Sequence, residues 1–199
     1  MTKRAEIVVA QYREDTTWTD NISNATITIY NKGGTDNKGG IALPNYGREA
    51  HTYLHHIIKQ YDNIAPVTIF TQGTPFDHCP NFVNVAQLIA DNVDGASAVP
   101  FRNLSNWTLT IDNLKCACWP YHQFPNRLPE VAHALFGDDF NEQIWFGAGA
   151  IFMATQQAIH KHPRNFYEQA QSFFQYNPDN PCCLGYAHAF ERLWPTIFK

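Results

Sequence analysis

Three short stretches carry side chains able to bind phosphate, hold a metal ion or move a proton. Asn45-Tyr46-Gly47-Arg48-Glu49 runs into an amphipathic segment. A glycine beside a helix start, with its unpaired N–H groups and an arginine, suits a diphosphate, while a simple cap with a surface ion pair explains the same residues. Asp77-His78 follows an apolar run through a proline turn and offers hard and borderline metal ligands, or else an ordinary loop cap. His188-Ala-Phe-Glu191-Arg192-Leu-Trp194 places an imidazole, a carboxylate and a guanidinium on one stretch, as either groups able to move a proton or a packing helix with an internal ion pair. Asp138-Asp139 after Gly137 is a rival acidic pair that reads as a solvated turn.

Several familiar chemistries lack their cues. The sequence has neither GxGxxG nor a Walker A loop, and Gly33-Gly34 and Gly39-Gly40 do not supply one. His51 and His55 share a helix face, as zinc-binding histidines do, but Thr52 stands where HExxH has its glutamate. The histidines therefore read as structural or surface groups before they read as ligands. No Gly-x-Ser-x-Gly elbow is present, and no cysteine has a local nucleophile signature.

The elements that must position these groups follow from periodicity. Glu6–Ala10 is a β-branched run that predicts a buried strand ending in the polar Gln11-Tyr12-Arg13-Glu14-Asp15. Ala25–Tyr30 predicts a second strand, and Lys32–Gly40 a flexible glycine-rich loop. Ala50, Tyr53, Leu54, Ile57, Ile58 and Tyr61 fall on one face of a helix, with Asn45 as its expected cap. Pro66–Thr71 predicts a third strand that delivers Asp77-His78 beyond its carboxyl end. Strands alternating with helices imply parallel pairing and an α/β sheet, whose ligand crevice lies at the carboxyl ends of its strands. Further on, the pattern predicts helices over 82–92, 129–136, 164–176 and 187–194, a half-exposed strand over 107–111 and a buried strand from Trp145 to Phe152.

Composition sets the outer bounds. The 199 residues suit one compact domain, and 44% hydrophobic with 16% charged residues excludes a disordered chain. A net charge of −4 without a Lys/Arg stripe argues against nucleic acid and anionic membrane as partners. The longest nearly apolar run, Phe146 to Ala154, is half a membrane span, and no leader peptide is legible, so a cytoplasmic chain with no membrane span is expected. Five scattered cysteines, an odd number without CxxC pairs, fit a reducing compartment. Sequons at Asn21, Asn24, Asn103 and Asn106 are then unread.

The strings VVAQYRED, LPNYGREAHTYLHHIIKQYDN, VTIFTQGTPFDH, FGAGAIFMATQQAIHKHPRNFYEQA and HAFERLWPTIF together span most of the chain. In that order they resemble a family of small GT-A-type glycosyltransferase domains. That family includes uncharacterised fungal proteins and the amino-terminal domain of a chlorella-virus protein that glycosylates the major capsid protein. The resemblance implies a single α/β GT-A-like domain over residues 1–199, a mainly parallel central sheet flanked by helices. Residues 1–80 would form the nucleotide-binding half and 81–199 the acceptor half. It implies transfer of a hexose or deoxyhexose, rhamnose among them, from a UDP-sugar donor to a glycan or glycoprotein acceptor such as a viral capsid protein. Gln11, Tyr12, Arg13, Tyr46, Gly47 and Arg48 would bind the nucleotide, and Glu191, His188 and Arg192 would serve catalysis. Asp77 and His78 would hold Mn²⁺ or Mg²⁺. The usual Asp-x-Asp is missing, because Pro75 stands two residues before Asp77. A non-catalytic nucleotide-sugar or glycan binding module is the alternative.

Overall fold

A strand that is apolar at nearly every position must be covered on both faces. Ala5–Gln11 is such a strand, β1, inside a six-stranded sheet. The computed structural model describes residues 4–34, 40–115, 126–175 and 184–199. The other strands of that sheet are β2 (Ala25–Asn31), β3 (Ile41–Ala42), β4 (Val67–Gln72), β5 (Phe101–Asn103) and β8 (Phe152–Thr155), in the order β3-β2-β1-β4-β8-β5. β1 pairs in parallel with β2 and β4, and β2 with β3, whereas β8 runs antiparallel to both β4 and β5. A separate ribbon joins β6 (Thr108–Ile111) and β7 (Ile144–Gly147).

Alternation along the strands divides the core in two. Val8 and Ala10 of β1, Phe70 of β4 and Phe152 and Ala154 of β8 face one layer, built on α1 (Arg48–Gln60), α4 (Leu128–Phe136), α6 (Arg164–Ser172) and α7 (Leu184–Phe198). Ile7, Val9, Ile69 and Met153 face the other, with Phe82, Ala86 and Ile89 of α2 (Phe82–Asp91) and with Val93 and Ala96 of α3 (Val93–Ser97). Both the α/β class and the mainly parallel sheet flanked by helices match the expectation from sequence.

Two expectations change. The apolar segment Trp145–Phe152 is not one strand: β7 and β8 belong to different sheets, and the turn between them holds Gly149 at φ 84° and Ala150 at φ 52°. Its small residues serve that turn. The last helix runs well past the expected 187–194, because Ile197 and Phe198 continue its buried face. The expected end of α6 at Tyr176 lies outside the described residues, as do Cys116, Cys118, Cys182 and Cys183, whereas Cys79 is a buried free thiol.

The larger core layer is held by aromatic rings. Phe152 is fully enclosed, with ring centroids 5.1 Å from Phe70, 5.4 Å from Phe101 and Trp194 and 5.6 Å from Phe198. A cluster of four polar residues pins α1 to the sheet beside it. His56 lies 3.1 Å from the Tyr30 hydroxyl and 3.5 Å from the Glu6 carboxylate, which also accepts from Thr28 at 2.6 Å. Burial alone would raise the Glu6 pKa, but His56 and Thr28 together bring it below the usual value.

Phe152→Ala should cost about 3–5 kcal/mol, because the four rings around it cannot collapse into the space it leaves. Urea unfolding of the variant should show the midpoint falling with little change in slope.

Candidate functional site

The carboxyl ends of β1 and β4 open into a cleft of about 560 Å³. Ala10, Gln11, Tyr12 and Glu14 line it from the end of β1, Lys32 from beyond β2 and Gln72 from β4. Asn45, Tyr46, Arg48 and Glu49 form one wall around the start of α1. His78, Gly149, His188 and Glu191 contribute a second wall.

The first wall depends on an unusual helix start. Gly47 takes φ 66°, in the left-handed region, and a Cβ there would lie 2.5 Å from the Phe174 ring. Glycine is therefore required on two grounds. The first helical bond runs from the His51 N–H to the Gly47 carbonyl; Gly47 brings no side chain to cap the amides between them, and the Glu49 carboxyl accepts from its own amide. Gly47, not Asn45, is thus the cap residue, which leaves Asn45 free to line the cleft. Lys32 is buried, and its ammonium donates to the carbonyls of Tyr46 (2.6 Å) and Arg48, fastening this loop to the end of β2.

The second wall turns on Gly149. Its N–H donates to Glu191 Oε1 at 2.7 Å and its carbonyl accepts from Gln72 Nε2 at 2.5 Å. The His78 ring packs over it so closely that a Cβ would come within 2.4 Å. Trp107, 62% exposed, meets the same ring edge-to-face at 5.9 Å. Arg192 is buried and donates to Glu191 Oε2 (2.9 Å) and to the His188 carbonyl (2.6 Å), with its guanidinium over the Phe146 ring.

The two carboxyls of the cleft sit in unlike electrostatic surroundings. Burial works to raise the Glu191 pKa, but His188, Arg192 and the Gly149 amide outweigh it and hold the group ionised. Glu49, in the first turn of α1, is pushed upward by burial and then by the Glu191 charge, against the weaker pull of Arg48, its own amide and His188.

Of the residues singled out from sequence, Gln11, Tyr12, Tyr46, Arg48, His78, His188 and Glu191 converge on this cleft. Gly47 lies buried behind the wall it shapes, and Arg192 acts through Glu191. Arg13 is exposed beside the cleft, with its guanidinium over the Tyr12 ring at 4.9 Å. Asp77 is exposed and does not line the cleft, so the Asp77-His78 pair is divided. Glu14 accepts from the amides of Tyr12 (2.6 Å) and Arg13 (3.0 Å), and Glu191 is already engaged. Among the described residues no group of three or more His, Cys, Asp and Glu side chains could hold a metal ion.

Sequence reasoning gave no role to Lys32, Glu14, Gln72 or Glu49. Lys32 hid in a glycine-rich loop, and Gln72 and Glu14 read as strand-end polar residues. Glu49 had a visible signal, an acid in the first turn of a helix preceded by Gly-Arg.

Residues 7–199 match the family described as protein of unknown function (DUF3431), and the chain belongs to that family. No curated protein and no solved structure matches it. Among the described residues no helix is long and apolar enough to cross a membrane.

Gly149→Ala should cost about 1–3 kcal/mol, since the added methyl meets His78 and the left-handed backbone strains. Thermal melting should register the loss. His51 gives a pH test of the wall behind Tyr46, whose ring lies 4.4 Å away. Burial, then Lys32 and His55, lower its pKa from 6.5 to about 3. The unfolded chain thus binds a proton between pH 6.5 and about 3 that the folded chain refuses, so stability falls as pH drops through that window. His51→Leu should flatten this acid limb in denaturation measured at successive pH values.

Proposed function

We propose that this member of the DUF3431 family is a nucleotide-sugar-dependent glycosyltransferase. Its donor would be a UDP-linked hexose or deoxyhexose, and its acceptor a glycan or glycoprotein hydroxyl. The observation that carries this reading is the convergence of unlike groups on one cleft. The start of α1 with Arg48 lines it together with a fixed carboxylate and an imidazole from α7. The resemblance of the sequence blocks to GT-A domains supports the same reading.

In this account the diphosphate lies against the α1 amides and Arg48, where negative charge growing on the leaving group meets dipoles and a cation already in place. Tyr12, 40% exposed, and Tyr46 offer rings for the base. The sugar then extends toward His188 and Glu191. The Glu191 carboxylate, held in one orientation by Gly149 and Arg192, orients ring or acceptor hydroxyls and faces the positive charge that develops at the anomeric carbon. A divalent ion, where one binds, would neutralise the diphosphate further; His78 is the one member of the expected ligand pair that lines the cleft.

One observation favours the second reading, a non-catalytic nucleotide-sugar binding module. Glu191 is the ion-pair partner of a buried arginine, which is a structural employment. Release of UDP from a panel of UDP-sugars separates the two: the transferase reading expects turnover with at least one donor, and the binding module expects affinity without release. In either case Arg48→Ala should weaken UDP binding roughly 10- to 150-fold by calorimetry, the loss of one charge-assisted contact of about 1.5–3 kcal/mol. Unchanged UDP affinity in the folded variant would remove the nucleotide from this wall.

A further inference from the structure

The two carboxyls of the cleft differ in how much of their hydrogen-bonding capacity the protein itself consumes. Glu191 accepts from the Gly149 amide at 2.7 Å through Oε1 and from Arg192 at 2.9 Å through Oε2, with His188 Nδ1 3.6 Å from the latter oxygen. Each of those donors stabilises the ionised form, so Glu191 is a poor acceptor for a further proton. Glu49 lines the same cleft from the start of α1, half-buried; its own backbone amide donates to it, and among the described residues no side chain does. Its carboxyl is therefore open to a ligand in a way that Glu191 is not.

We propose that Glu49, rather than Glu191, takes the proton from the attacking hydroxyl, while Glu191 is the positioning carboxylate of the same cleft. This rests on the transferase reading given above. The acceptor oxygen uses a lone pair to form a bond to the anomeric carbon as its O–H bond breaks and the proton passes to the Glu49 carboxylate. The bond from that carbon to the diphosphate oxygen breaks, and its electron pair leaves with the diphosphate. No oxidant or further reactant enters.

The surroundings of Glu49 match this work. Arg48 on its own helix and His188 from α7 draw its pKa down, whereas burial and the Glu191 charge from α7 drive it up, and the upward influences prevail. Lys32, Glu14 and His78 line the same cleft from the other elements. A base whose pKa is raised toward the working pH returns more proton affinity per ionised group than an ordinary glutamate does. The Glu191 charge thus has two effects, holding the substrate and making Glu49 more basic. Because Glu49 must be ionised to act, the rate should rise with pH through a titration above the usual glutamate range. That limb should move to lower pH in Glu191→Gln, which removes the repelling charge.

The experiment measures UDP release from UDP-sugars, beginning with UDP-glucose and with water or added sugar as acceptor, for wild type, Glu49→Gln, Glu49→Asp and Glu191→Gln. Glu49→Gln should lower kcat about 10²- to 10⁴-fold while binding UDP as well as wild type or better, and Glu49→Asp should restore part of the rate. Infrared difference spectra of wild type minus Glu49→Gln, taken without substrate on the acid side of the limb, should show a protonated carboxyl that ionises along the same limb. Should Glu49→Gln not fold, the wild-type profile and its shift in Glu191→Gln still decide the matter. Full UDP release by folded Glu49→Gln, or a wild-type limb at the ordinary glutamate position, overturns the assignment and leaves the transferase reading standing. Failure of wild type to release UDP from any donor overturns both.

Discussion

A guanidinium withdrawn almost wholly from water has to be matched where it lies, and Arg192 imposes that condition on the second half of the molecule. Its exposure is 2%. Leaving such a charge without its partner costs about 3–5 kcal/mol, more than most single contacts in a domain of this size can offset. Glu191 meets the demand with one oxygen, and its other oxygen is left directed at the Gly149 amide. That bond requires the left-handed turn between β7 and β8, and the turn in turn needs a glycine, since the His78 ring occupies the space of any side chain. One buried charge thereby fixes a helix, a strand connection and the wall of a cleft.

The first half reaches the same cleft by a different route. Parallel strands all end on one side, so the polar residues following β1, β2 and β4 gather there without further instruction. Their positions are then set by short-range devices. Glu14 folds back onto the amides of Tyr12 and Arg13, Gln11 donates to the Glu14 carbonyl at 2.9 Å, and Lys32 draws the 46–48 loop inward. Three of the charged groups that line the cleft are acids and two are fixed bases, and Lys32 is occupied by backbone carbonyls. Arg48 is left as the fixed cation best placed for an anion, reinforced by the amides of α1.

The strands and helices of the first half were legible because their apolar spacing is regular and both faces of the sheet are covered. The run Glu6–Ala10 and the face from Ala50 to Tyr61 are each dictated by burial, which sequence patterns report directly. The segment from Trp145 to Phe152 was misread for the same reason: it is apolar throughout, and periodicity cannot detect a turn whose residues are all buried. The positive φ at Gly149 and Ala150 comes from tertiary contacts with His78 and Glu191, residues 71 and 42 positions away in the chain. Within the site, Arg48 and Glu191 stood out by type and neighbours. Asp77 stood out equally, yet it is exposed and does not line the cleft, which residue type and spacing do not reveal.

Glu49 shows what local reading gives up. An acid in the first turn is expected for the helix dipole alone, and nothing within its own helix would raise its pKa, since Arg48 and the backbone amide both favour the charge. The upward push comes from enclosure and from a carboxylate more than a hundred residues later in sequence. Had Glu191 been unpaired, the two groups would have competed for one proton on equal terms. Because Arg192, His188 and Gly149 decide that competition in advance, the inequality between the two carboxyls is built by the core and does not depend on a ligand. The stability of the buried arginine and the chemistry open to Glu49 are consequently one electrostatic arrangement seen from two sides of Glu191.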